Sequence, residues 1–337
     1  MTDLPSRRTA PYRNRSGSDV DPSGVLTWMV TRLAKRLPRP PKRRIVGVTP
    51  DLARLHANRR EPTFTWIGHS TSLIQLGGAN ILTDPIFSRF ASPVPFAGPM
   101  RHQPPGIALR DLPQIDIVLL SHAHYDHLDL PSMRALMRQT GGPPLFLVPA
   151  GIDRWFARNV RGTVLEGPTR NVIGLEWDEH TTGHGPAPEL AFHFLPVQHW
   201  ANRSPFTRND TPWGSWAILH PEFRFWFSGD LGYSDDPARI GERFGPFDAA
   251  AIAIGAYEPR WFMRPQHVNP EEAVQVLLDV KAARAFGIHW GTFPLTDEPL
   301  DQPPEDLKAA VAARGLPEDR FTVLRHGETR PLTPAPR

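Results

Sequence analysis

The 337-residue chain contains no cysteine. Disulfides, iron–sulfur clusters, thiolate zinc sites and a cysteine nucleophile are therefore excluded, and any bound metal must be held by imidazole and carboxylate. Apolar runs of 18 residues are absent too, and the opening stretch "MTDLPSRRTAPYRNRSGSD" is polar, without the apolar segment of a secretory signal. These absences point to a cytoplasmic protein.

Hydrophobic residues make up 40% of the chain, enough to fill the core of one large domain or two medium ones. The net charge of +3 hides an asymmetry: residues 1–60 carry 14 Lys/Arg against 4 Asp/Glu, whereas the remainder carries 24 against 31. Within the basic part, "VLTWMVTRLAKRL" places Leu26, Met29, Val30, Leu33 and Leu37 at helical spacing with Arg32, Lys35 and Arg36 on other faces, and "PRPPKRR" ends the pattern. Residues 1–60 thus read as a basic, partly disordered arm with a short amphipathic helix. That helix can lie on an anionic membrane surface or pack on its own domain.

From Thr63 onward, short apolar runs such as "TFTWIGH", "SLIQLGG" and "NILTDP" alternate with glycine, asparagine and proline turn signals and predict sheet. Strands then alternate with helices: "IDIVLLS" precedes "LPSMRALMRQT", and "LFLVP" precedes "GIDRWFARNV". In "NPEEAVQVLLDVKAARA", Asn269 is the expected N-cap, Pro270 suits the first turn and Glu272 completes a capping box. A last helix, "PPEDLKAAVAARG", should stop at Gly315. Residues 61–337 therefore form one mixed α/β domain, with Trp213, Trp216 and Trp226 assigned to its core.

Four apolar strands end in groups that bind metals. "IDIVLLS" runs into "SHAHYDHLD", with His122, His124, Asp126 and His127; "AFHFLPVQH" ends at His199, "FRFWFSGD" at Asp230 and "RAFGIH" at His289. By chance, H-x-H-x-D-H would arise about once per thousand such chains, so an accident is a poor explanation. Seven donors suit two adjacent ions that each take three protein ligands and share a carboxylate. His122 and His124 can face one ion, Asp126 and His127 the other; imidazole with carboxylate suits two zinc ions, with manganese or iron as alternatives. Asp84 in "LTDP" is either a carboxylate that orients a ligand histidine or a turn residue before proline.

This pattern resembles the metallo-β-lactamase superfamily and, more narrowly, its N-acylphosphatidylethanolamine-hydrolysing phospholipase D family. The narrower likeness rests on "TWIGHST", "LTDPIFS", "SHAHYDHLD", "QHW", "WGSWAI", "GPFDAAAIAIGAYEPRWFMRPQHVNPEEAV" and "IHWGTF". The apolar loop "ASPVPFAGPMRHQPP" and the arm depart from the family's pattern. The resemblance implies an αββα sandwich of two mixed sheets flanked by helices, with the di-metal site at one edge, and a homodimer. It further implies that His122, His124 and His199 hold one zinc, that Asp126, His127 and His289 hold the other, and that Asp230 bridges them. Gln266 and His267 would lie beside the substrate head group. The mix of aromatic and charged residues in "GAYEPRWFM" makes Tyr257 a candidate for further substrate contact, with an interior packing loop as the alternative.

The expected chemistry is hydrolysis of a phosphodiester by a metal-bridging hydroxide, releasing phosphatidic acid and an N-acylethanolamine, with Asp126 and His267 as the catalytic candidates. His267 can hydrogen-bond the substrate or protonate the leaving alkoxide, or serve only as a structural residue before a helix cap. The phospholipid partner and the basic arm place the protein at the inner membrane face as a peripheral protein. The rival readings are a metal-dependent hydrolase of a lactone or soluble phosphodiester and a non-catalytic membrane-binding protein of the same fold. Nucleic acid is not an expected partner, since the arm lacks aromatic and basic residues in alternation.

Overall fold

The computed structural model describes residues 11–18, 24–34, 40–41, 45, 47–204 and 206–335. Two helices, α1 (Gly24–Ala34) and α2 (Leu52–Ala57), come before the sheets. Strands β1 (Thr63–Gly68), β2 (Thr71–Leu76), β3 (Ala79–Thr83) and β4 (Ile117–Leu119) lead to α3 (Leu130–Leu136), β5 (Leu145–Pro149), α4 (Ile152–Asn159) and β6 (Val172–Leu175). The second half contains β7 (His180–His184), β8 (Ala187–Leu195), β9 (Ser215–His220), β10 (Phe223–Phe227), α5 (Asp236–Phe244) and β11 (Ala249–Ala253). It ends with α6 (Arg260–Met263), α7 (Pro270–Asp279), β12 (Ala285–Ile288), α8 (Pro303–Ala313), β13 (Phe321–Val323) and β14 (Thr329–Pro331).

Among the described residues the strands form two seven-stranded sheets, β14-β1-β2-β3-β4-β5-β6 and β13-β12-β11-β10-β9-β8-β7. Phe64 on β1 stacks at 5.7 Å on Phe225 of β10 and at 4.7 Å on Phe286 of β12, so the sheets meet face to face through aromatic side chains. Trp213, Trp216 and Trp226 are fully buried. Helix α4 packs on β5 and β6, whereas α7 packs on β11 and α8 on β13, which makes the αββα sandwich.

Strand direction explains where a site can form. In the first sheet β3 to β6 are parallel, and β1, two antiparallel steps from β3, runs the same way. In the second sheet β10, β11 and β12 are parallel, and β8 is two antiparallel steps from β10. The carboxyl ends of β1, β3 and β4 therefore share one edge of their sheet, as those of β8, β10 and β12 do in theirs.

Local sequence sets the helix ends. Asn269 Oδ1 accepts from the Glu272 amide at 2.8 Å, and Glu272 Oε2 accepts from the Asn269 amide at 3.2 Å, a complete capping box that starts α7. Ala273, Val276, Leu277 and Val280 are fully buried along one stripe. Gly315, past the end of α8, takes φ +62°, a left-handed conformation that glycine adopts without steric cost.

The described part of the arm lies against the sandwich. Trp28 stacks on Phe262 of α6 at 5.3 Å, and Arg32 donates to the Leu295 and Thr296 carbonyls at 2.8 and 3.1 Å. Met29 and Val30, placed by helical spacing on the apolar face, are exposed instead, because the docking is done by the larger indole and by a guanidinium that reaches loop carbonyls. Lys35, Arg36 and Leu37 lie outside the described residues.

Candidate metal centre

Each ligand candidate sits just beyond a strand end on the shared edge. The loop after β4 carries His122, His124, Asp126 and His127; His199 follows β8, Asp230 follows β10, and His289 comes directly after β12. The glycine in "SGD" has a steric reason. Gly229 has φ +57°, and a Cβ there would lie 2.7 Å from the Gly214 carbonyl and 2.8 Å from Ser121 Cβ, so only glycine lets the Asp230 loop approach the His122 loop.

The donors fall into two groups. Ligand atoms of His122, His124 and His199 lie within 4.8 Å of one another, and so do those of Asp126, His127, His289 and a further residue, His69. Asp230 lies between them: its Oδ2 is 3.0 Å from His127 Nε2, 3.2 Å from His289 Nε2 and 3.9 Å from Nε2 of both His122 and His199. His127 Nε2, His199 Nε2, His289 Nε2 and Asp230 Oδ1 are buried with no hydrogen-bond partner among the described residues. Buried polar atoms are almost always paired, so convergent orphaned imidazole nitrogens beside a carboxylate fit divalent cations.

The outer nitrogens of the rings are held by the protein. Asp84 Oδ2 is 2.7 Å from His127 Nδ1 and accepts from Ser121 Oγ at 2.5 Å; Ser121 Oγ also lies 2.8 Å from His122 Nδ1. The Gln266 carbonyl is 2.8 Å from His199 Nδ1. Such contacts fix the tautomer and aim Nε2 inward.

Electrostatics agree with this arrangement. Burial alone would lower the basicity of His127, yet Asp230, Asp126 and Asp84 raise it well above the usual imidazole value. His289 is likewise raised to about 9, against the effect of burial, chiefly by Asp230 and Asp126. Without a metal, protons on these two rings balance the carboxylates, and a metal must displace them. Divalent-metal affinity is therefore expected to climb from about pH 6 to about pH 9 by up to roughly tenfold per unit for each displaced proton. Chelator competition across that range and calorimetry in two buffers of different ionisation enthalpy check this, and an affinity flat with pH would contradict it.

Other sequence candidates fare differently. The His267 ring lies 5.2 Å from that of His199 and 5.3 Å from that of His289, with Nδ1 unpartnered, so it borders both groups. The Gln266 side chain is committed, accepting from Trp200 Nε1 at 2.6 Å and donating to the Phe262 carbonyl at 3.2 Å. Tyr257, the candidate for further substrate contact, is buried, and its hydroxyl donates to Asp306 of α8 at 2.5 Å.

Three further residues border the site and are absent from the sequence-based candidates. His69 Nε2 is 3.0 Å from Asp126 Oδ2, and the His69 carbonyl accepts from the His289 amide at 3.0 Å. Burial, and then the neighbouring His289, lower its pKa to about 3, so the neutral ring donates to Asp126. It directly follows β1, and the strand-end argument that selected His289 applies equally to it. Trp200 packs on the His124 ring at 4.4 Å. Arg203 donates to the carbonyl of Ala123, between His122 and His124, and to that of Leu128, just after His127.

Comparison with known proteins bears on this site. The family profile described as "Beta-lactamase superfamily domain" matches residues 79–290. The N-acyl-phosphatidylethanolamine-hydrolyzing phospholipase D 1 of Caenorhabditis elegans is 40% identical over 267 residues, 78% of this chain and 74% of that protein. Its mitochondrial counterpart in Saccharomyces cerevisiae is 34% identical over 268 residues, 79% of this chain and 55% of that one. A solved metallo hydrolase from Ignicoccus hospitalis superposes with a TM-score of 0.58 at 20% identity, covering 80% of this chain and 98% of that one, a likeness of fold.

Proposed function

The chain belongs to the metallo-β-lactamase superfamily and, within it, to the N-acylphosphatidylethanolamine-hydrolysing phospholipase D family, and from that premise we propose that this metal-dependent hydrolase holds two zinc ions and cleaves N-acylphosphatidylethanolamine to phosphatidic acid and N-acylethanolamine. The observation that carries the reading is the pair of donor groups sharing Asp230, with orphaned nitrogens turned inward. One ion would take His122, His124 and His199, the other Asp126, His127 and His289. Two divalent ions held in this way supply Lewis acidity, which acidifies water and neutralises charge on phosphoryl oxygens.

The chain's own residues do the remainder. Asp84, Ser121 and the Gln266 carbonyl fix ring orientation, and His69 holds the Asp126 carboxylate through Oδ2, the oxygen that also faces His127 and His289. Burial, and then the nearby histidines, keep His267 neutral despite Asp230, its pKa lying well below the usual value. It therefore acts as a hydrogen-bonding group toward a substrate oxygen rather than as an imidazolium acid.

A lipid substrate, rather than a small diester, is supported by what surrounds the site. Met29, Val30, Phe96, Phe206 and Trp261 are 54–94% exposed. They lie on segments anchored at the centre: α1 rests on α6, which leads into Gln266 and His267; Phe206 follows the His199 and Trp200 loop; and the Phe96 loop is pinned by Arg101, which packs on Phe293 beside His69. Exposed aromatic and aliphatic tips suit a bilayer surface. Among the described residues no helix is long and apolar enough to cross a membrane; the exposed tips are read as a peripheral contact surface.

Mass-spectrometric product analysis is the test. The zinc-loaded protein should release phosphatidic acid and N-acylethanolamine in equal amounts from vesicles containing N-acylphosphatidylethanolamine, and an Asp126→Asn variant should not. Cleavage of only a lactone or a soluble diester would leave the metal centre standing and remove the lipid assignment.

A further inference from the structure

We infer that the N-terminal arm belongs to the scaffold of the metal centre, with Asn14 and Ser16 positioning the loop that presents His199. This rests on the reading that His199 helps hold one of two ions. Strand β8 ends at Leu195, so the backbone leading to His199 has left the β9 ladder and its buried amides need partners from elsewhere. Asn14, itself buried, supplies one: its Oδ1 accepts from the His199 amide at 3.0 Å, and its Nδ2 donates to the Ser18 carbonyl at 2.9 Å.

The contact is built from both directions. A turn closed by the Gly17 amide on the Asn14 carbonyl at 3.1 Å brings Ser16 back, and Ser16 Oγ donates to Gln198 Oε1 at 2.7 Å. Gln198 in turn donates through Nε2 to the Pro265 carbonyl at 2.9 Å, and its own carbonyl accepts from Gly232 at 2.7 Å. One arm segment thus grips two consecutive residues of the His199 loop, which are tied in turn to the segments carrying Gln266 and Asp230.

Tyr12 anchors the grip. It is buried, its hydroxyl lies 2.7 and 2.8 Å from the two carboxylate oxygens of Glu176, and its ring meets Trp177 edge-on at 5.4 Å. Trp177 leads through Trp213, whose Nε1 donates to the Val197 carbonyl, back to the same loop. A boundary at residue 60 would cut through these contacts, and we place Tyr12 to Ser18 with the catalytic unit.

Chelator competition on metal-free, full-length protein tests this, with zinc as the probe and the apo melting temperature as control. His199→Ala identifies which of the two ions depends on that loop. Asn14→Ala should weaken the same ion about tenfold and leave the other unchanged, Ser16→Ala should weaken it less, and Asn14→Asp, which keeps the acceptor oxygen, should stay within about twofold of the parent. Unchanged affinities in both alanine variants would overturn the inference. So would equal weakening of both ions with a lowered melting temperature, which signals general loosening. If the parent binds no second ion, the two-ion reading fails in the parent alone, and the inference falls with it.

Discussion

Asp230→Asn is expected to lower turnover about a thousandfold, corresponding to a loss of about 4 kcal/mol of transition-state stabilisation. Asp230 reaches both donor groups through one carboxylate oxygen, at 3.0 and 3.2 Å from two members of one and 3.9 Å from two members of the other. Burial would raise its pKa, but His127 and His289 outweigh that and hold the carboxyl well below the usual range. The group is therefore anionic, and in the proposed two-ion centre its charge would oppose the repulsion between the cations. Asparagine keeps the size and one oxygen yet removes that charge. Metal analysis should find fewer than two ions per chain, and turnover should fall on the lipid and on a generic phosphodiester alike. A variant that retains two ions and parental rates would show that Asp230 does not bridge.

How much of this centre the sequence could reveal depends on the kind of signal each residue left. The run from His122 to His127 is dense enough to make chance a poor explanation, and His199, Asp230 and His289 stand out as candidates because each closes an apolar strand. The capping box at Asn269 and Glu272 is a local device and is visible locally. His69 is a single histidine after a glycine, and its role depends on the turn after β1 meeting the segment after β12, where the Thr292 hydroxyl accepts from the His69 amide at 2.8 Å. That meeting is tertiary and has no counterpart in spacing.

The same limit bears on Tyr257 and on α1. Tyr257 lies in a stretch rich in aromatic and charged groups, a composition that suits a lipid head group as well as it suits packing. Its partner Asp306, 49 residues on, is not visible from that composition. In α1 the helical period was read correctly as a helix, but which face is covered depends on Phe262 and Asp297, both more than two hundred residues away. Asn14 illustrates this most sharply, since a lone asparagine in a basic arm gives no hint that it receives the amide of a metal-ligand candidate.

Replacing Arg203 by leucine should lower activity about a hundredfold, because a displacement near 1 Å of reacting groups has roughly that effect. Its guanidinium donates to Leu128 at 2.8 Å and to Ala123 at 3.2 Å, lies over Tyr125 at 3.8 Å, and faces Trp155 at 5.1 Å. The Tyr125 hydroxyl donates back to the Arg203 carbonyl at 2.6 Å, so the contact is reciprocal. Burial lowers the Arg203 pKa to about 10 while Tyr125 and Asp129 oppose that shift, and the side chain stays charged at neutral pH. Leucine would leave two carbonyls of the candidate-ligand loop, those of Ala123 and Leu128, without this donor, at a cost of about 1–3 kcal/mol each, and the melting temperature should fall accordingly. Lysine discriminates between charge and shape: it restores a cation but not the planar fork that spans two carbonyls, so its activity should lie between parent and leucine variant. A lysine variant as poor as leucine would assign the role to fork geometry alone, and a leucine variant within about twofold of the parent would mean that the loop holds its four ligands without this clamp.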